Sequence, residues 1–186
     1  MMKKLCSLPF LLLLLFSLLG CSGPGEDVAA KFRGETITTE AVETYARYCP
    51  FEEVSDREIV TYLVRWQILL EDAENRGLAV TEEDIEQFLK DTVYASYEMP
   101  DGKTTIDSYC ESLGITFEEY VERIRYQAPP IIAMAKVQEA VAKEYCETNE
   151  IPFDALNPTN DVRDAIDAYM VELFKGFEDD IVFFVD

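Results

Sequence analysis

The chain contains no histidine, and only 16 of its 186 residues are lysine or arginine. Without imidazole, the Ser-His-Asp triad and histidine-ligated zinc are excluded. The few bases face 37 aspartates and glutamates, for a net charge of −21. Nucleic-acid binding rests on Lys and Arg neutralising a polyanion, so this balance argues against such a partner. No C-x-x-C pair, no Gly-rich phosphate loop and no G-x-S-x-G elbow occurs. Redox, nucleotide and serine-hydrolase chemistry therefore have no motif to stand on. No D-x-D-x-D-G loop offers a calcium site either. The expectation is a protein without metal, nucleotide or other cofactor.

What is present is enough to fold. Apolar residues make up 48% of the chain, and its length suits one domain. The acids are unevenly placed: none precedes Glu26. Residues 21–186 hold 14 bases against 37 acids, a net of −23. Leucine is skewed the other way, with nine of 17 in the first 19 residues. Lys3 and Lys4, then the apolar run Leu11 to Phe16, have the layout of a secretory signal over residues 1–20, too short to span as a mature helix. Leu18-Leu19-Gly20-Cys21 resembles a bacterial lipobox, with Leu19 bulkier than usual at its position. The resemblance implies that Cys21 becomes the lipidated first residue. Two or more acyl chains would then hold the protein on a membrane. Residues 21–27 read as a tether reaching about 20 Å. The expected location is extracytoplasmic, on a lipid anchor. The acidic domain itself would be repelled by an anionic leaflet.

Residues 28–186 read as one mainly α domain. Val28–Arg33 and Glu35–Thr38 form a hairpin about Gly34. Thr38 or Thr39 caps a helix ending before Pro50. Ser55 and Glu58 form a capping box for a helix with an Ile59, Tyr62, Leu63, Trp66, Leu69, Leu70, Ala73 stripe, stopped at Arg76-Gly77. Thr81 opens a third helix, broken by Met99-Pro100-Asp101-Gly102, with Asp101-Gly102 read as a turn. A short helix covers Ile106–Leu113. Thr116 opens a long helix that Pro129-Pro130 should kink or interrupt. The last helix runs from about Asp161 to Phe177. The closing Ile181–Val185 run is expected to pair with the first strand, since an unpartnered apolar strand invites aggregation. Cys49, Cys110 and Cys146 are an odd set, most simply small buried hydrophobes, although one pair could bond in an oxidising compartment.

The order of these passages resembles SurA/PrsA-type extracytoplasmic foldases. The opening strand, Gly34-Glu35 turn and Ile37-Thr38 match that family's start, with Arg33 where Asn is usual. Gly77-Leu78-Ala79-Val80-Thr81-Glu82-Glu83-Asp84-Ile85 and Leu113-Gly114-Ile115-Thr116-Phe117-Glu118-Glu119-Tyr120 are similar to two further passages. Ala168–Leu173 and the terminal strand resemble its close. The resemblance implies a SurA N-terminal-like helical domain with a small antiparallel sheet. Many relatives carry a parvulin-type prolyl isomerase before the last helix. Only Ala142–Thr159 lies there, too short for a domain of about 90 residues. The expectation is the chaperone part without the catalytic part.

The acidic clusters at Glu82–Glu86 and Glu118–Glu122 lie at helix starts, where acids are stabilising, and are read as solvated faces. Ten Tyr, 11 Phe and one Trp supply apolar surface. The residues singled out for holding unfolded or secreted polypeptides are Tyr94, Tyr97, Met99, Tyr126, Ile131, Ile132 and Met134. Their groove is expected between the third and the long helix; the bland reading is that these side chains close the core. The alternatives are an accessory or scaffold lipoprotein binding one folded partner, and a residual prolyl isomerase.

Overall fold

A computed structural model describes residues 27–49 and 54–185. The signal, Cys21 and most of the tether lie outside the described residues. The rest is mainly helical with one three-stranded antiparallel sheet, as expected from the sequence.

The sheet begins with β1 (Val28–Phe32) and β2 (Glu35–Thr38), and is completed by β3 (Ile181–Phe183) in the order β2-β1-β3. The hairpin turn places Arg33 at φ 49° and Gly34 at φ 89°. Tight hairpins need positive φ at both central residues to match the strand twist. Arg33 thus holds a conformation that Asn or Gly adopts with less strain. On the other edge of β1, Ala30 pairs with Phe183 and Phe32 with Ile181. Phe32 is fully buried, in a cluster that Ile181 of β3 joins.

Helices α1 (Thr39–Tyr48), α2 (Asp56–Asn75), α3 (Glu82–Leu89), α4 (Ala95–Glu98), α5 (Pro100–Leu113), α6 (Phe117–Thr148) and α7 (Asn160–Leu173) make up the body. Their starts follow local chemistry. In α2, α3 and α6 the cap residue accepts from the third backbone N–H, and that third residue's carboxylate accepts from the cap's own N–H. The pairs are Ser55 with Glu58, Thr81 with Asp84, and Thr116 with Glu119. Each exchange satisfies two otherwise orphaned donors and is worth about 1 kcal/mol.

Four sequence expectations need correction. The buried side of α2 is Ile59, Val60, Val64, Ile68, Leu69 and Ala73, while Tyr62 is exposed. That helix carries apolar residues on two flanks and packs on both the sheet and α6, so one stripe does not describe it. α5 starts at Pro100, and Asp101-Gly102 lie in its first turn. Proline suits the first helical position because its missing N–H would be unpaired there anyway. α6 runs without interruption past Pro129 and Pro130. The prolines withhold the usual donors from the carbonyls of Arg125 and Tyr126. Packing against α2, α3 and α7 along its length holds the helix through that gap. α7 ends at Leu173; Gly176 at φ 70° turns the chain into a short 3₁₀ stretch, Phe177–Asp180, before β3.

The core is divided. One cluster joins the sheet, α1 and α2 around Phe32, Tyr45 and Val64. A second joins α2, α6 and α7 around Leu69, Val80 and Val137. Smaller ones sit under α3 (Leu89, Val93, Val121) and beneath the loop before α7 (Ala142, Cys146, Val162). Cys49, Cys110 and Cys146 are each buried and unbonded, filling space as small hydrophobes do.

Candidate functional site

Between α3 and α6, where the groove is expected from the sequence, the inner part of the space is filled. Leu89, Val93 and Val121 are buried there, with Ile85, Phe117 and Tyr120 packed around them. The open space lies beside it, between α6 on one side and the last turn of α3, residues 92–96 and α5 on the other. Two adjoining hollows of about 310 and about 420 Å³ share Thr105, Ile106, Tyr120, Ile124 and Gln127. Together they form a half-open groove.

Four features shape it. α6 contributes Tyr120, Ile124, Gln127 and Ile131, at the four- and three-residue steps that align one helix face. Tyr109 of α5 meets Tyr120 edge-on with ring centres 5.7 Å apart, propping the two helices at one end. The chain after α3 then widens into a π-helical turn, Lys90–Tyr94, which brings Thr92 and Val93 to the groove floor. Such turns spoil regular helix bonding and are frequent at functional sites. Gly102 fixes α5 against α4, because a Cβ there would stand 2.1 Å from the Ser96 carbonyl oxygen.

The residues singled out in the sequence separate into three groups. Ile131 is 49% exposed and lines the groove. Tyr94 and Tyr97 gather around Phe117: Tyr97 stacks on it at 3.9 Å and Tyr94 meets it edge-on at 6.1 Å. The Tyr97 hydroxyl donates to Asp107 and accepts from Lys103. Met99, 56% exposed, joins α4 to α5 nearby. Tyr126, Ile132 and Met134 close the core instead. Tyr126 stacks on Tyr48 at 5.1 Å and leans on Trp66 at 5.6 Å. Ile132 and Met134 pack on the α2–α6–α7 cluster. The seven residues therefore do not form one surface. Cys21 lies outside the described residues.

Sequence reading missed Thr105, Ile106, Tyr109, Tyr120, Arg123, Ile124 and Gln127. A signal existed. α6 carries two apolar stripes, and Val121, Ala128, Val137 and Val141 already supply a buried one. Tyr120 and Ile124 only edge the small cluster under α3, and Ile131 is left with no core to fill.

The groove's electrostatics centre on Arg123. Its Nη1 is buried and has no hydrogen-bond partner among the described residues. Its neighbours bear its charge. Thr116 hydrogen bonds hold the Glu119 carboxyl below its ordinary range, and Arg123 adds to that. Burial pushes the Cys49 thiol up to about 11, against the opposing pull of Arg123. A thiol so raised stays protonated and is a poor nucleophile. Burial likewise raises the Tyr120 and Tyr126 hydroxyls. The Gln127 amide is committed, donating to the Tyr48 carbonyl at 2.8 Å. No group of three or more metal-ligating side chains occurs among the described residues, and no described helix is long and apolar enough to cross a membrane. The arrangement can grip an apolar segment through Ile124 and Ile131, and can place one cationic donor beside it.

No family model, curated protein or solved structure matches this chain.

Proposed function

We propose that this chain is a membrane-anchored, extracytoplasmic lipoprotein of chaperone-like type, binding unfolded or newly secreted polypeptide segments without ATP and without catalysis. The observation that carries the reading is the half-open groove along α6, with Ile131 exposed and Ile124 half-buried beside aromatic walls. Adaptable apolar surface rimmed by charge is what transient polypeptide binding requires. The lipobox-like Leu18–Cys21 passage supports the anchor, and the likeness to SurA/PrsA-type foldases supports the class. The excess of acids supports solubility next to a membrane.

The test uses the full-length protein in mild detergent with a chemically denatured client. Suppression of client aggregation is expected, and Ile124→Arg should abolish it by placing charge across the groove. No suppression at molar excess, together with no binding of unfolded peptides, overturns the reading. Cys21→Ser should leave the protein unprocessed or release it from the membrane fraction.

A second reading, an accessory lipoprotein binding one folded partner, draws on a different surface. Leu156 is 89% exposed and Val171 70%, both away from the groove residues. Pull-downs separate the two: many unrelated clients favour chaperoning, one stoichiometric protein favours the scaffold.

A further inference from the structure

The groove contains one group that general apolar binding leaves idle. Arg123 Nη1 is buried in its wall without a partner among the described residues. The other inter-helix bases end on carboxylates. Arg76 meets Asp72 and Glu144, Arg125 meets Glu82 and Glu86, and Lys136 meets Asp84, at 2.6–3.2 Å. In a chain with more than twice as many acids as bases, a half-buried guanidinium with no carboxylate partner among the described residues is the exception. A charged donor left unmet in a buried setting is among the costlier arrangements in a fold. The surroundings narrow what would meet it. Tyr109, Tyr120 and Ile124 offer apolar faces, Gln127 is already committed to Tyr48, and Glu119 one turn earlier repels a second negative charge. One donor, apolar walls and a nearby carboxylate suit a singly charged anion attached to an apolar body.

We propose that the groove captures the C-terminal end of a polypeptide: the terminal carboxylate accepts from the Arg123 guanidinium, and the last apolar side chains lie along Ile124 and Ile131. From Ile124 to Ile131 a helix rises about 10 Å, the length of about three extended residues. This rests on the polypeptide-binding reading above and adds which part of the chain is taken. An interior segment carries no such charge; every polypeptide carries one terminal carboxylate.

The experiment compares two short fluorescent peptides ending in three apolar residues, one with a free carboxylate and one amidated, against the full-length protein in mild detergent. The free acid should bind about tenfold or more tightly than the amide, the range of a charge-assisted hydrogen bond. Arg123→Met should bring the acid down to the amide's affinity, with Tm unchanged or higher, because the variant removes a buried donor that has no partner. N-acetyl-leucine should displace the acid peptide only at far higher concentration than an unlabelled peptide does. Equal binding of acid and amide overturns the end-capture inference and leaves the groove reading standing. Binding of neither overturns both. Displacement by N-acetyl-leucine at peptide-like concentration overturns it in favour of a small-carboxylate site. A large fall in Tm for Arg123→Met also overturns it, by giving the guanidinium a partner within the chain.

Discussion

At the scale of single residues, two backbone positions set limits that composition does not reveal. Arg33 holds φ 49° at the hairpin turn. Its side chain offers small compensation: it lies over the Phe32 ring at 4.7 Å and reaches Asp180 at 3.8 Å, both on the exposed surface. Exposed pairs of that kind contribute under about 1 kcal/mol, whereas left-handed geometry costs a residue with a Cβ about 1–2 kcal/mol. Arg33→Asn is therefore expected to raise stability by about 0.5–1 kcal/mol in urea unfolding. A fall would mean that the contacts of Arg33 outweigh its backbone strain. Gly102 is the opposite case. Its backbone angle is ordinary, but Ser96 backbone occupies the space a Cβ would need. Gly102→Ala should destabilise by about 1–3 kcal/mol, the range for overpacking a close contact. It should also weaken peptide binding, because α5 would have to move off α4. Unchanged Tm and binding would show that the approach of these helices is not fixed there.

At the scale of elements, one ion pair couples a helix start to the middle of another helix. Asp84 closes the cap of α3 and also accepts from Lys136 of α6 at 2.7 Å. The Lys136 hydrogen bond, with the Thr81 N–H and hydroxyl, lowers the Asp84 carboxyl from 3.8 to about 2. A carboxyl whose folded value is depressed contributes stability above its ordinary value, and that contribution is lost as pH falls. The window here lies between 3.8 and about 2. Lys136→Met should cost stability at neutral pH, and its deficit against the parent should shrink as pH falls through that window. A deficit constant with pH would remove Asp84 from the account. The same element scale explains what the sequence made legible. Caps were readable because the exchange of Thr81 with Asp84 involves residues three apart and no tertiary partner. The start of α5 was misread because Pro100-Asp101-Gly102 has the composition of a turn, and only packing of Gly102 on Ser96 selects the helix. The continuity of α6 through Pro129 and Pro130 depends on neighbouring helices far away in sequence. The α5 wall of the groove and most of its lining were not legible for a related reason. The aromatic count shows that apolar surface is in surplus, but only the divided core shows which residues are left over: Ile131 is, whereas Tyr126 is stacked between Tyr48 and Trp66.

At the scale of the whole molecule, like charge opposes like charge. The net charge of −21 works against compactness. Bridges such as Arg125 to Glu82 and Glu86 work for it. Each partly exposed bridge is worth about 1 kcal/mol or less, while the repulsion sums over every acid within a screening length. The repulsion should prevail, so Tm is expected to rise as salt goes from about 10 mM to about 0.5 M and that length falls from about 30 Å to a few Å. A falling Tm would show the bridges to be the larger effect.

The sheet has a mechanical consequence. β1 is first in the chain yet central in the sheet, bonded to β2 on one edge and β3 on the other. Tension applied at Asp27 against the helical body runs along β1 and loads both rows of backbone bonds lengthwise. Those bonds must yield together, which takes a large force. β3 runs antiparallel, and the Phe184 N–H donates to the Ala29 carbonyl at 2.8 Å, so both chain ends leave the same end of the sheet. Tension between the two ends would instead peel β3 away one bond at a time. The fold is built to resist a pull from its N-terminal side on the body, and to yield readily to one that separates its ends.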